Sequence, residues 1–173
     1  MDKSYAGLGV HLDEHRHPYA EITYTSDWTV TASHELLEML VDPWGTRMLP
    51  GPSLDPATGG RPVFYLVEVA DPVEAASYER AGVPVSDFVT PSWYHAAAAG
   101  HGPFSLLGSP AGPWQVQQGG YVSWYDPKDG RWHQLLPGGR FVRSARAADL
   151  SGDARADKDA ALADVAGHHP DAD

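Results

Sequence analysis

The apolar and polar residues of positions 29–43 follow the period of one amphipathic helix. At about 100° of rotation per residue, the polar side chains fall within an arc of roughly 100°, and the apolar ones lie on the opposite side. The polar arc contains His34, Glu35, Glu38 and Asp42, and the apolar side contains Val30, Leu36, Leu37, Leu40 and Val41. Asp27 or Thr29 can cap the start of this helix, and Pro43 ends the pattern.

Strands are predicted on both sides of this helix. Residues 5–12 and 19–25 are predicted to form a hairpin across a polar connection. The β-branched and aromatic run 63–69 predicts a further strand. Near the end of the chain, residues 120–136 predict a C-terminal β-hairpin around the turn sequence D-P-K-D-G, and residues 140–144 predict a short final strand.

Other stretches carry weaker patterns. Residues 44–62 are rich in proline and glycine without periodicity, and they predict a long surface loop. Residues 83–94 predict a strand interrupted by Pro91, and residues 95–113 predict a flexible connection rich in alanine, glycine and proline. Together these elements indicate an α+β fold with a small mixed sheet.

Composition supports one folded domain followed by a tail. The chain has 173 residues, which is long enough to bury a core, and its six Trp, eight Tyr and four Phe favour a folded globule. We predict a single domain over residues 1–144. Residues 145–173 are acidic, rich in alanine and aspartate and free of aromatics, which predicts a disordered tail or a frayed helix.

Charge and residue usage exclude several classes of partner. The formal net charge of −11 disfavours binding to nucleic acid or to an anionic membrane surface. No stretch approaches the roughly 20 apolar residues of a membrane span, and the N-terminus lacks the pattern of a signal peptide. We therefore expect a cytoplasmic protein, with signal-independent export as the open alternative. The sequence does not indicate an oligomeric state.

The polar arc of the helix points to metal chemistry. The chain contains no cysteine, so a bound metal would be held by histidine and carboxylate. Two ligands one helical turn apart, such as His34 and Glu38, can hold an ion. A neighbouring carboxylate can then take a proton from the metal-bound water, as a hydrolytic site requires.

The helix also resembles a known motif. The residues H-E-L-L-E of 34–38 resemble the H-E-x-x-H signature of zincin metallopeptidases, with glutamate replacing the second histidine. The longer string S-H-E-L-L-E-M-L-V-D-P resembles a group of small bacterial and phage zincin-like proteins, which pair it with a later E-x-x-D. This chain supplies that partner as Glu68-Val69-Ala70-Asp71. The resemblance covers about residues 8–94 and implies a zincin-like fold with one active-site helix.

The resemblance implies roles for individual residues. The metal ligands would be His34, Glu38 and Glu68, and Glu35 would be the general base in the hydrolysis of a peptide or protein substrate. Asp71 and Asp42 would hydrogen-bond to the ligands without contacting the ion, or would replace one of them as a ligand. The expected ion is Zn²⁺. Because two carboxylates make the ion a poorer Lewis acid, Mn²⁺, Fe²⁺ or Ca²⁺ remain alternatives.

The placement of Glu68 and Asp71 depends on their local structure. If Glu68 begins a helical turn, Asp71 lies about one turn away and both can serve the site. If the segment is a strand, the two carboxylates point to opposite faces. Periodicity does not decide between these possibilities, and we favour Glu68 as the third ligand.

Two other interpretations of the helix compete with catalysis. The first is a zincin-like scaffold without activity, serving as a binding module or a phage-type structural module. The second is a helix whose carboxylates form a solvated face with His34 at its edge.

Further side chains have two possible roles each. His11, His15 and His17 crowd the N-terminal hairpin; we favour a solvated polar turn over a second metal site. Tyr94 and His95 are candidates for stabilising an oxyanion. Five aromatics of the C-terminal region could form a binding platform, but we favour a role in the core: Trp114, Tyr121, Trp124, Tyr125 and Trp132.

Overall fold

The computed structural model describes residues 8–98, 101–136 and 138–144, and within them the chain is a mixed α+β fold with one α-helix and small antiparallel sheets. The predicted tail, 145–173, lies outside the described residues. The elements are β1 Gly9–Glu14, β2 His17–Ile22, α1 Trp28–Val41, β3 Met48–Pro52, β4 Pro62–Leu66, β5 Ser77–Arg80, β6 Val83–Ser86, β7 Val122–Asp126, β8 Arg131–Leu136 and β9 Arg140–Ser144. The predicted extent of the domain, 1–144, remains a prediction.

The N-terminal hairpin is confirmed, with a tighter turn than the sequence predicted. β1 and β2 pair antiparallel from Gly9 opposite Ile22 to Glu14 opposite His17. The two-residue turn between them places His15 at φ 54° and Arg16 at φ 66°. Such positive φ angles belong to the turn type that matches the twist of the two strands. The strands therefore extend through the polar residues that were predicted to connect them.

A five-stranded antiparallel sheet, in the order β3-β4-β7-β8-β9, forms the body of the fold. The predicted hairpin of residues 120–136 and the final strand 140–144 are confirmed, as β7 with β8 and as β9. β5 and β6 form a separate small hairpin beside the helix. The prediction of a strand over 83–94 holds only for β6, because the chain turns into a 3₁₀ helix at Pro91–Tyr94.

The prediction of a long surface loop over 44–62 is wrong for part of this stretch. β3 lies in this stretch and pairs with β4, and a 3₁₀ turn covers Pro56–Thr58. The sequence M-L-P-G-P of β3 hides the strand, because proline lacks the N–H that a central strand must donate. β3 is an edge strand of the sheet, where that loss is tolerated.

The main core lies on one face of this sheet and is rich in aromatics, and a smaller cluster lies on the opposite face. Trp124 and Tyr65 on adjacent strands are fully buried and pack with Trp93 from the 3₁₀ helix. Trp132 is buried in a second cluster with Leu66. Trp114, Trp124 and Trp132 are thus core residues, and the interpretation of a surface platform built from these tryptophans is wrong.

Helix α1 turns its polar arc inward. The helix lies close to its predicted bounds: it starts one residue earlier, at Trp28, and ends at Val41, before Pro43. Asp27 occupies the N-cap position, but its side chain makes no capping hydrogen bond. Leu37 and Val41 pack against the core, but Leu36 and Leu40 are 51% and 72% exposed. His34, Glu35, Glu38 and Asp42 are all buried instead. The interpretation of these carboxylates as a solvated face is therefore wrong.

Candidate metal centre

The inward arc of α1 meets two other segments of the chain. β1 packs on one side of the helix and brings His11 inward, where it is 4% exposed. On the other side runs the stretch that follows β4, and it carries Glu68 and Asp71. Six ionisable side chains from three segments thus converge in the interior: His11, His34, Glu35, Glu38, Glu68 and Asp71.

The first group of potential ligands is centred on His34. Its Nε2 atom lies 3.3 Å from Oε1 of Glu38, one helical turn along α1, and 3.3 Å from Oδ1 of Asp71. One ligand atom from each of these three residues lies within 4.8 Å of the other two. This buried set can hold a metal ion.

The second group is centred on His11 and shares Glu38. Nδ1 of His11 lies 3.5 Å from Oε2 of Glu38 and 3.5 Å from Oε2 of Glu35, and Nε2 lies 3.9 Å from Oε2 of Glu68. His11, Glu38 and Glu68 also offer ligand atoms within 4.8 Å of one another. Glu38 therefore belongs to both groups, through different carboxylate oxygens.

The segment carrying Glu68 and Asp71 is neither a helical turn beginning at Glu68 nor a strand, the two alternatives that the sequence left open. β4 ends at Leu66, Glu68 lies in an irregular stretch, and Asp71 begins a 3₁₀ turn at Asp71–Val73. Both carboxylates consequently face the interior. Asp71 is the one beside His34, and Glu68, which the sequence favoured as third ligand, faces His11.

Sequence reasoning missed His11. We favoured a solvated turn for the histidines of the hairpin, and that holds for His15 and His17, which are exposed. It is wrong for His11, which lies within β1 and is buried. Strict alternation would place His11 with Asp13, opposite Val10 and Leu12, so the local pattern did not signal this burial, and the partner segments are distant in sequence.

Two other predicted site residues have different surroundings. The carboxylate of Asp42 accepts the backbone N–H groups of Thr46 at 3.1 Å and Arg47 at 2.7 Å, which fixes the turn after α1. Tyr94 is buried and donates its hydroxyl to the carbonyl of Glu68 at 3.2 Å. His95 is exposed.

Charge in this interior is unbalanced. Four carboxyl groups face two imidazoles, so an excess of two negative charges would remain with all four carboxyl groups ionised and both imidazoles protonated. Burial and the neighbouring Glu38 and Glu68 raise the pKa of Asp71 well above its ordinary value. Burial, with Glu68 and Asp71, also raises the pKa of Tyr94, which therefore stays neutral. A cation bound here would relieve this repulsion.

Histidine and glutamate on α1 stabilise each other's charge. Burial alone would lower the pKa of His34, but Glu38 and Asp71 outweigh it and hold that pKa well above its ordinary value. Burial alone would raise the pKa of Glu38, but His34 and His11 outweigh it and hold that pKa well below its ordinary value. Glu38 is thus an ionised carboxylate at neutral pH, as metal binding requires.

A third cluster, on the C-terminal hairpin, is already neutralised. Oδ2 of Asp126 accepts a hydrogen bond from Nε of Arg61 at 2.7 Å, and Oδ1 accepts the backbone N–H of Lys128. His133 lies 2.9 Å from Asp129. The Arg61 guanidinium supplies the positive charge that an ion would bring, so this cluster is a structural ion pair.

The fold and this interior define a mixed α+β protein with buried His, Glu and Asp groups that can hold a metal ion. No protein-family model, curated protein or solved structure matches the chain. Among the described residues, no helix has the length and apolar character needed to cross a membrane.

Proposed function

We propose that this protein binds a divalent transition-metal ion through His34, Glu38 and Asp71, in a zincin-like centre built on α1. The observation that carries the proposal is the spacing of 3.3 Å from Nε2 of His34 to a carboxylate oxygen of each partner. Ligand atoms about 2.0–2.1 Å from a tetrahedral Zn²⁺ are about 3.3–3.4 Å apart. A strong N–H···O hydrogen bond would be about 2.9–3.0 Å long.

The chemistry of the donors fits such an ion. Imidazole and carboxylate suit Zn²⁺, while a set with two carboxylates also suits Mn²⁺, Fe²⁺ or Ca²⁺. In the part of the chain that the structure describes, Oδ1 of Asp71 is buried without a hydrogen bond of good geometry, and Nε2 of His34 lies 3.3 Å from it. A buried carboxylate oxygen in that position is costly unless a cation compensates it.

The activity we propose is hydrolysis of an amide bond in a peptide. A divalent ion lowers the pKa of water toward neutrality. Glu35 follows His34 directly in α1 and is buried beside the ligand Glu38, both of them facing His11. We assign Glu35 the role of general base, which holds the proton on its carboxylate and later passes it to the leaving amine. The negative interior also disfavours an anionic substrate such as nucleic acid.

The burial of the ligands favours a second candidate, a metal centre with a structural role only. Glu38 is fully buried and the His34 side chain is 10% exposed. Structural metal sites are closed, whereas catalytic sites keep a position open for substrate. In this second candidate the ion ties α1 to the segment carrying Asp71, and the protein acts as a scaffold.

The test is elemental analysis of the full, untagged chain purified without chelator, together with the His34→Ala and His17→Ala variants. We expect a transition metal whose content falls in His34→Ala and is unchanged in His17→Ala, since His17 is exposed on the same molecule. The melting temperature should rise on adding Zn²⁺ or Mn²⁺ only where the metal binds. Metal-free protein that is indifferent to both ions would overturn the proposal.

Glu35→Gln separates the two candidates. If Glu35 is the general base, this variant keeps the metal and loses peptide hydrolysis that the wild type shows with a panel of unstructured peptides. A wild type that is loaded with metal and inactive on every peptide would support the structural role. Retained turnover in Glu35→Gln would remove Glu35 from the chemistry.

A further inference from the structure

We infer that the interior binds two divalent ions, and that the carboxylate of Glu38 bridges them. The second ion would take ligands from His11, Glu38 and Glu68. This inference rests on the proposed function, because the first ion is the one held by His34, Glu38 and Asp71.

The two oxygens of Glu38 point to different partners. Oε1 lies 3.3 Å from Nε2 of His34 and accepts the N–H of Ala70 at 3.2 Å, while Oε2 lies 3.5 Å from Nδ1 of His11. The carboxylate is fully buried, so its orientation is fixed by these neighbours. A carboxylate placed in this way, with one imidazole on each side, is suited to give one oxygen to each of two ions.

The number and type of donors also fit a pair of ions. The two ligand groups share Glu38 and supply two imidazoles and three carboxylates, and the carboxylate of Glu35 lies beside them. The di-iron and di-manganese carboxylate centres of helix bundles use the same kinds of donor, two imidazoles with four carboxylates. A single divalent ion would leave two of the four negative charges uncompensated when both imidazoles are neutral, whereas two ions balance all four.

An independent observation concerns Oε2 of Glu38. Within the described ranges this atom is buried without a hydrogen bond of good geometry, and it faces the second group. Its distance of 3.5 Å from Nδ1 of His11 is too long for a strong hydrogen bond. It is close to the separation of two ligands of one ion, about 3.0–3.5 Å for bond lengths near 2.1 Å.

The experiment counts bound ions and tests whether they are coupled. Chelator-treated, full-length protein is titrated with Mn²⁺, freed of excess ion, analysed for metal, and examined by electron paramagnetic resonance. The variants are His11→Ala and the milder Glu68→Gln, with His17→Ala as the control from the same hairpin. Circular dichroism establishes that each variant is folded.

We expect two equivalents of Mn²⁺ in the wild type and in His17→Ala, with the spectrum of an exchange-coupled pair. His11→Ala and Glu68→Gln should each retain one equivalent with the spectrum of an isolated ion. One equivalent in the wild type, unchanged in both variants, would overturn the bridged pair and leave the proposed single centre intact. A wild type that binds no Mn²⁺ and no Zn²⁺ would overturn both.

Discussion

The backbone N–H of Ala70 donates to Oε1 of Glu38 at 3.2 Å, so the central carboxylate of the interior also anchors the segment that leads to Asp71. Glu38 therefore has two roles that substitutions can separate. Its Oε1 atom accepts a hydrogen bond that stabilises the fold, and its negative charge would bind the ion. Substitutions that keep one and remove the other can tell them apart.

Glu38→Gln should destabilise the metal-free fold less than Glu38→Ala does, and it should abolish the rise in melting temperature on adding metal. The amide oxygen can still accept the N–H of Ala70, but the ionised carboxylate is gone. Glu38→Ala removes the acceptor as well, and a buried N–H left without a partner costs about 1–3 kcal/mol. Urea denaturation of the chelated proteins measures the difference. Equal losses in the two variants would contradict the structural duty of this hydrogen bond.

Gly9→Ala should disturb the packing of β1 on α1. A Cβ at Gly9 would lie 2.5 Å from Oε1 of Glu35 and also press against Cγ2 of Thr31. Overpacking of this kind costs about 1–3 kcal/mol. Gly112→Ala is the matched control, because a Cβ there would meet nothing within 4 Å. Thermal denaturation should show a lower midpoint for Gly9→Ala only; a normal midpoint would mean that β1 can move away from the helix at little cost.

The orientation of α1 can be tested with two leucines. Leu37 packs against the core, while Leu40 is 72% exposed. We expect Leu37→Ala to lower the free energy of unfolding by about 2 kcal/mol, at the lower end for truncated leucines because the side chain is only partly buried. Leu40→Ala should change it by less than about 0.5 kcal/mol. The opposite ranking in urea denaturation would mean that the helix faces the other way.

Acid should weaken the ion pair between Arg61 and Asp126. Burial alone would raise the pKa of Asp126, but hydrogen bonds from Arg61 and from the Lys128 N–H outweigh it and lower the pKa below 3.8. A lowered folded pKa means stability that is present above pH 3.8 and lost as the pH falls through the folded value. The urea midpoints of wild type and Arg61→Gln should therefore differ at neutral pH and converge in acid. Arg80→Gln, an exposed control, should match the wild type throughout.

Local patterns in the sequence predicted a good part of this structure. Helix α1 was predicted close to its observed bounds because its period and Pro43 are local signals. The C-terminal hairpin was predicted because alternation and the D-P-K-D-G turn act within a few residues. The proximity of His34 and Glu38 follows from their separation by four residues in a helix.

Interactions between distant segments could not be predicted from the sequence. Periodicity separates the two sides of α1, but it does not say which side faces inward, since that depends on what the neighbouring segments carry. His11 reaches Glu38 only because β1 packs on the helix, and nothing near His11 in the chain signals that contact. The zincin-like assignment and the ligand roles remain predictions that the metal analyses will decide.

The inward-facing polar arc of α1 has a consequence for how stable the protein is against degradation in a cell. An ion that binds only the folded chain adds stability that grows with its free concentration, about 2.7 kcal/mol at a hundredfold excess over the dissociation constant. Without that ion, closing the helix onto its neighbours gathers four carboxyl groups in one buried place. We therefore expect the abundance of intact protein to follow the metal supply, with starved cells clearing the chain by proteolysis.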